Sequence, residues 1–286
     1  MTQVTNPTTP PPISTPTPGG GFTYIGAAGP NRFNASPQAD IILTFGGDEV
    51  VASGGGDDFV IVGGGNDAIG AGAGNDLIFA GSGNDTVAGG DGNDTIFGGK
   101  GADLLDGGAG NDLVSGDTGN DVVLGGSGND SVYGGQGSDV VGGGEGNDSV
   151  YGGKGNDTVD GGAGNDFVTG DRGSDVLTGG AGSDTFYFAS IGGDFGVDTI
   201  VDFSASEDKI RLKSGGAFAG LGSTFEASEF VVVAGFTAAN PGATTTNKLI
   251  YDPQSGVLYF NPGGTAVAVA QLQTGLTITS SNFELF

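Results

Sequence analysis

From residue 53 to residue 187 the apolar positions recur every nine residues, a period that belongs to neither an isolated strand nor a helix. Fifteen consecutive units follow one another without insertion or deletion, and the eighth residue of each is apolar, from Val60 and Ile69 to Leu177 and Phe186. Side chains alternate faces along a strand. Each unit therefore reads as a glycine-rich turn of about six residues and a three-residue strand, with the eighth side chain facing in and the seventh and ninth facing out. The ninth position carries a second, longer period. Its aromatic residues, Phe79, Phe97, Tyr133, Tyr151 and Tyr187, all fall in odd-numbered units, whereas the even ones carry Gly70, Ala88, Asp106, Leu124, Gly142, Asp160 and Thr178. Two units per turn explain this alternation and one per turn does not. The pattern predicts an all-β solenoid in which short strands stack turn upon turn.

The flanks follow other rules. Residues 1–21 are rich in Thr and Pro, including Pro10-Pro11-Pro12, and predict an extended, solvated and disordered arm. Residues 22–52 are more apolar and hold two weaker units, with Asp40 and Glu49 at the sixth position and Ile42 and Val51 at the eighth. Such degenerate units suit an N-terminal cap, which a solenoid needs to cover an open end. Over 188–286 the nine-residue period stops and strand-like runs take over, predicting a C-terminal β-rich cap. Lys248–Asp252 and Val257–Phe260 flank Pro253-Gln254-Ser255-Gly256, a hairpin signal.

Composition narrows the chemistry. The 286 residues include 63 glycines, no Trp, and 8 Lys+Arg against 34 Asp+Glu, for a net charge of −26. So much glycine is costly to order and needs a strict period to be compatible with folding. The acidic balance argues against nucleic acid and anionic membranes as partners, since both reward basic residues, and points to cations. With no Cys and no His, disulfides, Cys/His zinc sites and His-based catalysis are absent. No acid/base pair stands outside the repeat register, and Asp117-Thr118-Gly119 is simply three positions of one unit, so the chain reads as a non-enzyme. Neither a cleaved N-terminal signal nor a run long enough for a membrane span is evident.

Two positions never vary. The fourth is always glycine, and the sixth is always aspartate: Asp58, Asp67, Asp76, Asp85, Asp94, Asp103, Asp112, Asp121, Asp130, Asp139, Asp148, Asp157, Asp166, Asp175 and Asp184. Stacked turns set each carboxylate about 4.8 Å from the next, the spacing of paired strands. Two like charges at that distance repel by about 0.9 kcal/mol in water and several-fold more near a protein surface. Over the whole file the total rivals the roughly 5–15 kcal/mol by which a domain is stable. A turn motif alone would accept Asn at the sixth position as readily as Asp. The exclusion of Asn predicts a hard divalent cation between turns, with several ions along the coil. Calcium takes six to eight oxygens with flexible geometry and suits a carboxylate flanked by glycine carbonyls better than magnesium, which holds its waters.

These units resemble the G-G-x-G-x-D-x-U-x nonapeptide of RTX, or haemolysin-type, calcium-binding proteins, as in Gly125-Gly126-Ser127-Gly128-Asn129-Asp130-Ser131-Val132-Tyr133. The resemblance implies a parallel β-roll. It implies ions between adjacent turns, held by the fifteen aspartates and by carbonyls of the glycine turns such as Gly83, Gly92, Gly110, Gly128, Gly146 and Gly164. Asp117 and Asp171 depart from it by replacing glycine at the second position, and the first four units lack glycine at the first. Downstream, Asp198-Thr199-Ile200-Val201-Asp202-Phe203 and Asp208-Lys209-Ile210-Arg211-Leu212 are similar to elements that follow the repeats in that family. The family is exported by type I secretion machinery through an uncleaved C-terminal signal, and the acidic-plus-apolar finish of this chain is similar.

The expectation is thus a secreted, extracellular calcium-binding β-roll, acting as a structural or interaction protein of a matrix or cell surface. A non-catalytic export module of a larger secreted enzyme or toxin is the alternative. An ice or surface adhesin is disfavoured by the irregular third position: Gly55, Gly64, Ala73, Ser82, Asp91 and Lys100. The stripe Phe79, Phe97, Tyr133, Tyr151 and Tyr187 admits two roles, stacking along one sheet or self-association through an exposed strip.

Overall fold

The computed structural model describes residues 13–16, 21–26, 29–190, 192, 195–218, 220–221, 225–236, 238 and 247–286. They fall into two compact units, Met1–Ser149 and Val150–Phe286. Both are built from parallel β-solenoid turns, as the nine-residue period predicts.

In the first unit the chain passes alternately between two parallel sheets. One contains Phe22–Ile25, Ile41–Leu43, Phe59–Ile61, Leu77–Ser82, Thr95–Lys100, Leu113–Thr118 and Ser131–Gln136. The other contains Arg32–Asn34, Val50–Gly55, Ala68–Ala73, Thr86–Asp91, Leu104–Ala109, Val122–Ser127 and Val140–Glu145. Register is strict: Ile78 faces Ile96 and Ile96 faces Val114, while Val87 faces Leu105 and Leu105 faces Val123. Two units per turn is therefore the observed geometry. The eighth-position side chains form two buried columns, joined in the early turns by Val62, Ala71 and Ala80 from the first position.

The strands are longer than the sequence pattern suggests. Most span six residues, as Thr95–Lys100 does, and run from the seventh position of one unit through the third of the next. The first two glycines of each unit are thus strand residues, and the true turn is only positions four to six. Glycine is required there because the coils stack so tightly. A side chain on Gly101, at φ +132°, would drive into the carbonyl oxygen of Gly83 one turn below. Asp117 and Asp171 replace a second-position glycine and take the same left-handed backbone, at φ 69° and 65°. Asn and Asp tolerate that region better than most residues. Ser115 Oγ donates to Asp117 Oδ1 at 2.7 Å.

Residues 1–12 and 17–20 of the expected disordered arm lie outside the described residues. Within it, Ile13–Pro16 departs from that expectation: it pairs antiparallel with Phe22–Ile25 and occupies what would otherwise be an open sheet edge.

In the second unit the coil outlives the repeat. Asp198–Ile200 pairs with Val176–Ala181, and Lys209–Leu212 pairs with Thr185–Phe188, both in parallel. The nine-residue period does stop after Tyr187, yet Asp198 and Asp208 keep the carboxylate register across offsets of 23 and 24 residues from Asp175 and Asp184. The expected hairpin is present, with Lys248–Tyr251 antiparallel to Val257–Asn261. Val267–Gln271 joins it to the sheet beside Asp198–Ile200, and Phe283–Leu285 closes the other sheet beside Lys209–Leu212. The core here is aromatic, with Phe186, Phe218, Tyr251 and Phe260 fully buried.

The aromatic stripe stacks along one sheet. Phe79 and Phe97 lie parallel, with ring centroids 5.1 Å apart, and Phe59 meets Phe79 edge-on. In the second unit Tyr151, Phe167, Tyr187 and Phe286 form a continuous run. Phe59 and Phe167 enter from the seventh position, a contribution the ninth-position count overlooks. Among the described residues no helix is long and apolar enough to cross a membrane.

Candidate metal centre

Each repeat aspartate ends a turn and immediately precedes a strand, so its backbone carbonyl joins the parallel ladder; Leu113 N–H, for example, donates to the carbonyl of Asp94 at 2.9 Å. All fifteen are buried. Their side chains form two files along the coil, 18 residues from one member to the next. In each file the N–H of one aspartate donates to Oδ1 of the aspartate one turn later. The distance is 2.8 Å from Asp76 to Asp94, 2.7 Å from Asp94 to Asp112 and 2.8 Å from Asp112 to Asp130. The other file matches, with 2.8 Å from Asp85 to Asp103 and 2.9 Å from Asp103 to Asp121. Asp121 bonds Asp139 and Asp130 bonds Asp148 in the same way. In the second unit Asp157 bonds Asp175 and Asp166 bonds Asp184.

Oδ1 thus serves the turn, a task the amide oxygen of Asn would perform equally well. Oδ2 is different. In Asp58, Asp67, Asp76, Asp85, Asp94, Asp103, Asp112, Asp121, Asp130, Asp175 and Asp184 it is buried and meets no hydrogen-bond donor. A carboxylate oxygen withdrawn from water without a partner costs several kcal/mol, so this geometry is viable only with a positive charge or a proton nearby.

The glycine at the first position shapes the space beside that oxygen. A side-chain carbon built on Gly125 would sit 2.6 Å from Asp130 Oδ2 and 2.6 Å from the carbonyl oxygen of Gly143, one turn on. Gly116 gives 2.6 Å to Asp121 Oδ2 and 2.6 Å to the Gly134 carbonyl; Gly161 gives 2.7 Å to Asp166 Oδ2 and 2.6 Å to the Gly179 carbonyl. The missing side chain therefore leaves room bounded by two oxygens from successive turns. An oxygen-only donor set of this kind fits calcium. The resemblance implies carbonyls of fourth-position glycines as further ligands. The structure sets those of Gly83, Gly92, Gly110, Gly128 and Gly164 against the fourth-position glycine of the following turn, and it is the first-position carbonyls that lie beside Oδ2. In the first four units the room is taken by Ser53, Val62, Ala71 and Ala80, all buried. Among the described residues no three carboxylates converge, so a cation here would depend on backbone carbonyls for the rest of its shell.

Burial, and then the neighbouring carboxylates of the file, push these acids upward in spite of the backbone N–H each accepts. Asp58, Asp76, Asp85, Asp94 and Asp130 rise to about 6 and Asp121 to about 7. At neutral pH the file sits on the verge of taking up protons, which marks how poorly the bare fold tolerates its own charge.

Fold and site together define a parallel β-solenoid with files of buried carboxylates in an oxygen-lined setting. The family model for the RTX calcium-binding nonapeptide repeat matches residues 25–60, 43–78, 79–114, 106–141, 115–150, 133–168 and 160–190, covering more than half of the chain. The chain belongs to the RTX calcium-binding nonapeptide repeat family. Among solved structures it is similar to the AlgE6R3 subunit of the Azotobacter vinelandii mannuronan C5-epimerase. Identity is 26% over 55% of this chain and 78% of that one, with a TM-score of 0.24. No curated protein matches it.

Proposed function

We propose that this is a secreted calcium-binding β-roll that becomes ordered when calcium fills its turns outside the cell, and that it acts as a non-catalytic structural or interaction protein. The observation that carries this reading is the set of buried, unsatisfied Oδ2 atoms, several of which, as at Asp94, Asp112, Asp121 and Asp130, lie beside a carbonyl of the next turn. The ions, several along each file, would be held by Asp58, Asp67, Asp76, Asp85, Asp94, Asp103, Asp112, Asp121, Asp130, Asp139, Asp148, Asp157, Asp166, Asp175 and Asp184 together with glycine carbonyls. Bound calcium supplies the positive charge that offsets carboxylate repulsion and the desolvation of Oδ2. The protein's own part is to keep Oδ1 engaged by a backbone N–H, so that Oδ2 is held in a fixed direction. Coupling of this kind makes metal affinity part of the folding free energy.

In this reading residues 53–187 are the calcium-responsive part, 22–52 cover its first turns, and 188–286 combine a β-rich cap with the signal for type I export. Affinities of about 10⁻⁴–10⁻³ M, typical of extracellular modules, would leave the chain open in the cell and closed outside. The aromatic stripe, with Tyr133 36% exposed, is the surface offered for self-association.

The test is far-UV circular dichroism over a calcium titration from EDTA, with magnesium as control. A cooperative gain of strand for calcium alone is the expected result. A chain fully ordered in EDTA and indifferent to calcium would overturn the proposal.

A further inference from the structure

The carboxylates just outside the repeats have the same place in the coil but not the same need. Asp40 lies one turn before Asp58, and Asp208 one turn after Asp184. At Asp40 the second oxygen is satisfied by protein: Ser36 N–H donates to Oδ2 at 2.8 Å and Ser36 Oγ–H at 2.9 Å, while Phe22 N–H reaches Oδ1 at 2.5 Å. At Asp208, Ser204 N–H donates to Oδ2 at 2.7 Å and Asp184 N–H to Oδ1 at 3.0 Å. In both cases the donor is a serine four residues before the aspartate. The repeats have glycine there, apart from Asp117 and Asp171, and mostly in left-handed backbone, as at Gly126 before Asp130 with φ 116°. Neither serine is left-handed, and each turns its N–H onto the carboxylate. Glu49, at the sixth position of the second degenerate unit, is met by side chains instead: Asn31 Nδ2 at 3.2 Å and Thr44 Oγ1 at 3.4 Å.

From this contrast we infer that Ser36 and Ser204 stand in for a cation at the two outermost turns, so that Asp40 and Asp208 bind no metal and their turns persist when calcium is withdrawn. The inference rests on the calcium reading above, in taking the orphaned Oδ2 atoms as cation sites. An N–H hydrogen aimed at Oδ2 occupies the direction from which a cation would approach and opposes it by its own partial charge. The file that includes Asp58 and Asp184 is thus ended by groups of the protein itself. Ion binding is confined to turns whose second-position residue does not aim its N–H at Oδ2.

Two measurements on the full chain test it. In the first, bound calcium is counted by equilibrium dialysis for the unmodified protein, for Asp40→Asn with Asp208→Asn, and for Asp112→Asn with Asp130→Asn. The terminal pair should keep the unmodified count and the inner pair should lose at least one ion. Loss of ions from the terminal pair alone would overturn the inference. Equal retention by both pairs, or an unmodified chain that binds no calcium, would sink the underlying calcium reading and this inference with it. The second measurement needs no substitution: hydrogen exchange after chelation. Peptides over 198–212 should exchange at least tenfold more slowly than peptides over 107–139. Equal rates would overturn the claim that the end turn outlasts its metal.

Discussion

The repeat turns and the region that follows them use the same carboxyl group in opposite ways. Inside the repeats, Asp94 or Asp121 is buried with one oxygen bonded and the other without a donor. Beyond them, Asp202 accepts the N–H groups of Gly179 and Gly180, and Asp252 accepts those of Gly235 and Gln254 along with the Ser255 hydroxyl. Burial works to raise Asp252, but these donors outweigh it and hold the acid below its ordinary range. The cores differ in step. The repeats bury chiefly the eighth-position residue of each unit, aliphatic in all but the last, whereas the later region packs Phe218 on Phe260 with Tyr251 wholly enclosed. One region completes its own polar and apolar contacts. The other leaves a carboxylate oxygen without a donor at turns such as those of Asp94 and Asp121, and in the calcium reading the missing component comes from solution.

Removing that component should have the largest effect. Chelation is expected to abolish the strand signal of the repeats while near-ultraviolet dichroism from the aromatic core persists in part; simultaneous loss of both would erase the comparison. Next comes stacking. Gly101→Ala should destabilise the calcium-loaded protein by about 2–4 kcal/mol, from a left-handed strain and a backbone collision. Gly264→Ala, with nothing within 4 Å of its new carbon, should change stability by less than about 0.5 kcal/mol in the same denaturation experiment. Third, Asp130→Asn should raise the calcium midpoint several-fold, while Asp252→Asn should leave that midpoint in place and lower thermal stability instead.

Acidity offers a subtler probe. Folded-state values near 6 to 7, above the unfolded carboxylate range, mean that protonation favours the metal-free coil. That contribution is complete below about pH 4 and is lost as pH rises through 6 to 7. In EDTA, then, lowering the pH from 8 to 5 should restore strand content. With calcium present the same change should weaken binding, since protons compete for Oδ2. Unaltered dichroism in EDTA across that range would refute the assignment of strain to these acids. The smallest effect is expected at the aromatic stripe, where Phe97→Ser should cost about 1 kcal/mol beyond lost area through its stack with Phe79.

Much of this was visible in the sequence because a solenoid has few degrees of freedom. The alternation of Phe79 and Phe97 with Ala88 and Asp106 is enough to set two units per turn, and the unvarying aspartates point to the cation. Strand length was not visible, because glycines at the first two positions look like turn residues and behave as strand only when a neighbouring coil is pressed against them. The continuation through Asp198 and Asp208 was obscured by insertions, although Asp198-Thr199-Ile200 and Asp208-Lys209-Ile210 keep the spacing of acid and inward residue. Ser36 and Ser204 carry no motif of their own. Their role exists only once the turn has brought a backbone N–H onto an oxygen four residues ahead.

The hydrogen bonds between coils have a mechanical consequence. On the inner side each aspartate N–H points to the later coil, as from Asp94 to Asp112, whereas on the rim the N–H of Asn93 points back to Oδ1 of Asn75. Joints of this kind are therefore clasped in both directions, and tension applied at either end meets the same pair of bonds. Because one coil is 18 residues, a pulling experiment should release the calcium-loaded repeats in even steps of about 60 Å, like links drawn from a chain.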